Sequence, residues 1–492
     1  MITSIKKKSK VLALCLSAAL SLNAFGLSAL AGDVQSADNK YKITNPYENV
    51  DWYSTHQFKA DFHAHSTNSD GGNTRSDMIE DHYAKNFDIL TMTDHNFTTT
   101  AWDELGYGGN PGLSNPGKGA LESGRKAEIE AGIGRGGKGM IGLDNTNEQS
   151  NTDHINTFFA DFNNPSGSTR ESIIATAEAL GGISHLNHPG RYTGGSSSND
   201  VTSIAAANNS ANIKKYVDLF SAYPSLIGME IINKIDNESK SDRILWDNIL
   251  KEMMPNGRFV WGFSNDDTHS LNATGYAWNV MLMPALNQAE TRKAMETGAF
   301  YAVSRVSRLD GINRYYPAGG EVRGDGAAAT LYLLNQPTPG IQNIAVDNAA
   351  GSISITGNFY DIIEWIADGE VIATGSTINL NDYQGQINSY VRAQLKSDTG
   401  IAFTQPFGVE MAAASAVYLV DATPSASVKK LNGNKNDLTI TVTENFSDGS
   451  VNKTTATFSI NNNAADLYTV GEYTVYVDTK GNDQIRQCYI VN

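Results

Sequence analysis

"DFHAHSTNSDGG", residues 61–72, ends an apolar run with two histidines one residue apart and closes in an Asp-Gly turn. Residues two apart on a strand point to the same side. His63 and His65 are therefore placed to bind one ion from one face, with Ala64 pointing away. The plainer reading is the polar end of a strand carrying two ordinary histidines. The rest of the chain decides between them.

Working outward, short apolar runs alternate with helix-like segments from about residue 55 to 310. "FDILTMTDH" (87–95), "GKGMIGLDNTNE" (137–148), "GGISHLNHP" (181–189), "LIGMEIIN" (226–233) and "FVWGFSNDD" (259–267) each read as a buried strand ending in polar residues. Between them, 75–86, 169–180 and 241–253 have helical spacing. In the first of these, Met78, Ile79 and Tyr83 form the apolar face, Ser76 is the expected cap, and His82 is expected to be structural or at the surface. The alternation predicts an α/β fold with a mostly parallel sheet, and chemistry at the C-terminal ends of its strands.

Seven of the nine histidines lie in short polar segments: His63, His65, His95, His154, His185, His188 and His269. Each has an acid or another histidine nearby. Buried imidazoles need partners, so this recurrence favours a shared site over scattered structural histidines. Asp267 and His269 repeat the two-residue spacing. Imidazole with carboxylate suits Zn, Mn or Fe better than ions that prefer all-oxygen sites.

In this order, "DFHAHSTNSDG", "TMTDHN", "NEQSNTDHIN", "NHPGR" and "SNDDTH" resemble the successive motifs of the PHP (polymerase and histidinol phosphatase) family. The resemblance covers residues 55–310 and implies a distorted (β/α)7 TIM-like barrel holding two or three divalent metal ions. It implies that His63, His65, Glu148 and Asp267 hold one metal. A second would be shared by Glu148, His154 and His188, and a third held by Asp70, His95 and His269. Asp144 competes with Glu148, and His185 competes with His188, whose adjoining proline favours it. The implied chemistry is hydrolysis of a phosphomonoester or phosphodiester by a metal-activated hydroxide. Besides Glu148 and Asp267, Arg191 is a catalytic candidate that would grip a phosphate oxygen; otherwise it is a surface or salt-bridged arginine. Glu230 and Asn233 either support ligands, touch substrate or are structural. Arg305 is a second phosphate candidate. Trp52, Tyr53, Trp102, Tyr107, Tyr192, Tyr223 and Trp278 lie near the motifs as packing or stacking residues. The glycine-rich run 132–139 lacks a phosphate-loop ending and reads as a loop.

Residues 1–31 have a basic head, an apolar stretch and an Ala-Leu-Ala ending, which reads as a secretory signal peptide. Its removal would take the formal charge from -16 to -20 and leave Cys488 as the single cysteine. That charge disfavours nucleic acid as a partner. No transmembrane segment is expected after the signal. Residues 32–54 read as a linker, 311–424 as a β-rich accessory region, and 425–492 as a small β-sandwich; its segments "NFSDGS" and "GEYTVYVD" resemble bacterial immunoglobulin-like modules, which implies cell-envelope attachment. The expected protein is a secreted or cell-surface phosphoesterase acting on a phosphorylated small molecule, a phosphodiester-containing polymer or a lipid headgroup. The competing expectations are a catalytically silent binding protein on the same scaffold and a metal-dependent hydrolase of another bond.

Overall fold

The computed structural model describes residues 40–491 apart from 110–114, 164–166, 196–199, 237–240, 313–335, 412–418, 432–434, 447–448, 462–464 and 481–483. The expected signal peptide lies outside the described residues, as does much of the 311–335 segment. Among the described residues, no helix is long and apolar enough to cross a membrane. The chain divides into two compact units, Met1–Glu410 and Met411–Asn492.

The elements that build the first unit's site run in chain order. They are β1 (His56–Ala64), α1 (Arg75–Ala84), β2 (Ile89–Met92), β3 (Ile141–Gly142), β4 (Asn147–Gln149), β5 (Ile155–Phe158), α2 (Arg170–Ala179), β6 (Ile183–Leu186), β7 (Leu226–Asn233), α3 (Asp242–Met253), β8 (Trp261–Asn265), β9 (Ala277–Met283) and β10 (Phe300–Ser304). All eight residues of β7 are buried, as a strand covered on both faces requires. Helix α1 begins at Arg75, where the sequence places it, but its cap lies two residues before the expected Ser76. Its cap is Thr74, whose side chain accepts from Asp77 N while the Asp77 side chain accepts from Thr74 N. The Thr-x-x-Asp spacing makes this reciprocal pair, which Ser76, already inside the helix, cannot form.

The expected parallel sheet is realised as two sheets. β1, β2 and β3 pair in parallel within an eleven-stranded sheet, which β9 and β10 extend antiparallel. β6, β7 and β8 pair in parallel within a five-stranded sheet, which β5 and β4 extend antiparallel. Isolated bridges, Ala64 to Thr268 and His95 to Glu148, link their margins. Among the described residues no continuous ladder closes the two into one barrel.

The chain beyond residue 335 does more than decorate this core. Strands Tyr390–Ser397, Gly400–Phe403 and Phe407–Met411 continue the eleven-stranded sheet outward from β10. Ile363 and Trp365 lie in the same apolar cluster as Met78, Leu90 and Val303.

The second unit has two three-stranded antiparallel sheets, Leu419–Lys430 with Lys435–Phe446 and Val451–Asn461, and Ala465–Val470 with Tyr473–Lys480 and Gln484–Ile490. Leu438, Ile440 and Val442 from one share a core with Val470, Val475 and Val477 from the other. Each sheet runs in sequence order, as a meander. The strand exchange that defines an immunoglobulin fold is not seen among the described residues. Cys488 is partly buried on the last strand, and burial pushes its thiol up.

Candidate metal centre

The site forms where the parallel strands of both sheets end. The register of β1 against β2 shifts between Asp61 and Ala64. Such irregularities re-aim side chains. Phe62 packs edge-on against Phe158 of β5 and Phe263 of β8, each 6.1 Å away. Its neighbour His63 reaches Glu148, Glu230 and Asp267. Strict alternation would send the two side chains apart, yet both meet residues of the second sheet.

His63 and His65 converge, with their Nε2 atoms 3.1 Å apart. The Asp-Gly turn then folds back on them. A side chain at Gly71 would lie 2.7 Å from the carbonyl of His65, so only glycine permits the close approach that sets Asp70 beside the histidines. Buried Asp94 secures this loop by accepting from Ser66 N at 2.6 Å and from Ser69 Oγ at 2.9 Å. Asp70 Oδ2 then stands 3.2 Å from His269 Nε2 and 3.5 Å from His95 Nε2.

Glu148 occupies the middle. Its Oε1 is 3.2 Å from His63 Nε2, 3.0 Å from His154 Nδ1 and 3.6 Å from His188 Nε2. Its Oε2 is 3.3 Å from His65 Nε2 and 2.7 Å from His95 Nδ1. Asp267 Oδ1 lies 3.1 Å from His65 Nε2 and 3.3 Å from His63 Nε2. The structure therefore brings together all nine residues that the resemblance implied as ligands. They fall into four overlapping groups with donor atoms within 4.8 Å of one another: His65, Asp70, His95 and His269; His63, His188 and Asp267; His63, His65 and Glu148; and His95, Glu148 and His154. The grouping differs from the implied one. His188 joins His63 and Asp267, His95 takes its place beside His154, and His65 also joins Asp70, His95 and His269.

The donor set suits transition-metal ions by type, being imidazole nitrogens and carboxylate oxygens with no thiolate. It also fits by geometry. His95 Nδ1, His154 Nδ1, Glu148 Oε2 and Asp267 Oδ1 are buried and have no hydrogen-bond partner among the described residues. Buried polar atoms are normally paired. Donor atoms that crowd together without aligned hydrogen bonds are arranged as ligands around ions are.

Electrostatics bind the cluster together. Burial opposes charge on His63, but the Asp267, Glu148 and Glu230 carboxylates outweigh it and hold its imidazole well above the usual range. Burial likewise opposes charge on Glu148 and Asp267. His63 with His154 and His188 holds the first carboxyl well below its usual range, and His63 with Lys234 holds the second.

Glu230 takes a defined place. It is fully buried within β7, with Oε1 2.8 Å from His63 Nδ1 and Oε2 accepting from His188 N at 2.9 Å. Asn233 and Asn265 each donate to it at 2.8 Å. A proton on His63 Nδ1, donated to Glu230, would leave the Nε2 lone pair to bind a metal ion, the carboxylate–histidine arrangement that orients metal ligands. Glu230→Gln should weaken metal binding about 10- to 100-fold while preserving the fold. Titration of the metal-free protein with Zn or Mn checks this, and unaltered affinity would remove Glu230 from the site.

The competing residues lie elsewhere. Asp144 is half-buried, with its backbone N–H 3.4 Å from Gln288 Oε1, and joins none of the four groups. His185 is stacked 4.8 Å from Phe263, and burial pushes its imidazole down to about 4. His82 is fully buried, with Nδ1 2.7 Å from Met78 O and Nε2 3.3 Å from Asp61 Oδ2. Arg305 is buried; its guanidinium donates to the carbonyls of Gly275 and Gln336 and lies over the Trp278 ring. Arg191 is exposed in the short turn Pro189–Tyr192 that follows His188. Of the aromatic residues, Trp102 and Trp278 are buried, while Tyr192 rests 5.5 Å from the His154 ring and 5.8 Å from that of His188. Sequence reasoning missed Asp94, although "TDH" contains it, and Lys234, which directly follows "GMEIIN".

No protein-family model matches the chain, and no curated protein matches it. Among solved structures, it is similar to a two-domain protein containing a predicted PHP-like metal-dependent phosphoesterase from Bacteroides vulgatus ATCC 8482. That likeness has 14% identity and a TM-score of 0.36 and covers 85% of this chain and 98% of the other. An amidohydrolase from Chromobacterium violaceum with bound SO4 and no metal is similar at 16% identity and a TM-score of 0.27, over 43% of this chain and 87% of the other. At these TM-scores neither likeness bears on the site, whose reading stands on this chain's own residues.

Proposed function

We propose that the protein is a metal-dependent phosphoesterase of the PHP type, acting outside the cytoplasmic membrane. One observation carries the reading: six histidines, Asp70 and Asp267 gather around the buried carboxylate of Glu148. When bound, two or three divalent ions would supply an activated water and neutralise charge that develops on the phosphoryl oxygens. Glu148 ties the ligand groups together from the centre. Asp70 and His269, about half and one-third exposed, form the open side from which a substrate would enter. Glu230 keeps His63 oriented. The apolar segment ahead of residue 32 supports export, and the β-rich second unit supports a role in attachment to the cell envelope.

The test is a screen of p-nitrophenyl phosphate, a bis(p-nitrophenyl) phosphate diester and non-phosphate esters with Zn, Mn and Fe. Turnover of a phosphate ester is expected, with two or three equivalents of metal by elemental analysis. Turnover that persists after metal removal would sink the mechanism. Exclusive turnover of non-phosphate esters would replace the substrate class.

A further inference from the structure

Lys234 is a cation beside the cluster that pairs with one of its proposed ligands, Asp267, and cannot itself serve as a ligand while protonated. It directly follows β7, and its Nζ lies 3.1 Å from Asp267 Oδ2 with the side chain 28% exposed. Asn233 also donates to that oxygen, at 3.2 Å. Asp267 Oδ2 thus already has a neutral donor, while Oδ1 faces His63 and His65.

The backbone supplies a second, independent observation. Lys234 has φ 54°, and its N–H donates to Asn265 O at 2.9 Å. The left-handed region is costly for a long side chain that cannot bond its own backbone. Such a conformation persists where surrounding structure enforces it, commonly at functional sites. Here the strain is shared. His188 at φ 29° and Asp267 at φ 44° bring their side chains to the same cluster from neighbouring strand ends. Lys234 belongs to this set of strained strand ends, but it delivers a positive charge where its neighbours deliver metal ligands.

We infer that Lys234 is a substrate-binding residue whose ammonium, held beside Asp267, takes an oxygen of the substrate's anionic group. This rests on the proposed phosphoesterase reading and adds a specific protein contact to it. Partial exposure gives the ammonium access to solvent, and a flexible stem lets it leave Asp267 for an incoming oxyanion.

The probe is inorganic phosphate, titrated calorimetrically into the full-length, metal-loaded protein. Lys234→Met should weaken phosphate binding at least about tenfold, as loss of a charge-assisted hydrogen bond would. Its metal content should stay at the wild-type value, and Lys234→Arg should retain most of the affinity. With a hydrolysed ester, KM should rise more than kcat falls. Unchanged phosphate binding in Lys234→Met would overturn the inference, as would a wild-type protein that binds no phosphate. A fall in metal content that accounts for the lost binding would also overturn it, since Lys234 would then act through Asp267. If the wild type binds phosphate but hydrolyses no phosphate ester, the functional reading fails while the assignment of Lys234 is still decided by the titration.

Discussion

Glu148→Ala should leave a folded protein that has lost most of its metal and at least about 10³-fold in kcat/KM, equivalent to about 4 kcal/mol of barrier. The size follows from position. Five histidines, His63, His65, His95, His154 and His188, approach this one carboxylate within 3.6 Å. Removing it strips a shared ligand atom from two of the four donor groups at once. It also takes away the negative charge that offsets burial and keeps His63 above its usual range. Glu148→Gln separates the two effects. The amide can keep a polar contact to Asn187, which donates to Glu148 Oε1 at 2.7 Å, but it carries no charge. If charge and ligation matter, Gln should be nearly as damaging as Ala. Elemental analysis and steady-state kinetics read both variants, with circular dichroism to establish folding. Full metal occupancy in Glu148→Ala would show that the centre is organised around some other residue.

What the sequence displayed, and what it hid, follows the range of the interactions involved. The spacing His63-Ala64-His65 is local, and the convergence of those two histidines could be read from strand geometry alone. The polar endings of "LIGMEIIN" and "FVWGFSNDD" likewise marked strand ends, because a strand buried on both faces must be apolar until it leaves the sheet. Local alternation could not reveal the register shift at Asp61–Ala64 that turns Phe62 and His63 toward the same sheet. That shift depends on the neighbouring strand. Nor could it assign Glu230 to His63, 167 residues away. A buried Glu in an apolar run signalled that a partner must exist without naming it. The cap of α1 is Thr74 and not Ser76, because Thr74 and Asp77 have the reciprocal spacing. The largest gap concerned residues 340–410. Their alternation gave strands, but strand pattern carries no information about which sheet edge a strand joins.

That last point leads to an expected stability effect that needs no ligand or substrate. Asp247→Ala should destabilise the first unit by about 3–5 kcal/mol. Asp247 lies on α3, and Arg392 lies on the strand Tyr390–Ser397. Their side chains are 7% and 4% exposed and meet through two hydrogen bonds, Arg392 Nε to Oδ1 at 2.8 Å and the terminal nitrogen to Oδ2 at 2.7 Å. Tyr390 also donates to Oδ1, at 2.9 Å. The guanidinium is further held over the Trp246 ring, at 5.2 Å. Truncating Asp247 leaves this cation buried without its carboxylate, and an uncompensated buried charge is the costly case. The intact pair itself is worth far less, because two desolvation penalties offset its attraction. The double variant Asp247→Leu with Arg392→Met should therefore recover most of the lost stability. Urea unfolding followed by tryptophan fluorescence measures all three proteins. If residues 340–410 were a separable accessory layer, Asp247→Ala would loosen that layer and spare the metal centre. Their strands instead continue the sheet that carries His63 and His65, so metal affinity and the first unfolding transition should fall together in the single variant and return together in the double. Loss of the transition midpoint with metal affinity untouched would show that the sheet's outer strands are mechanically independent of the site.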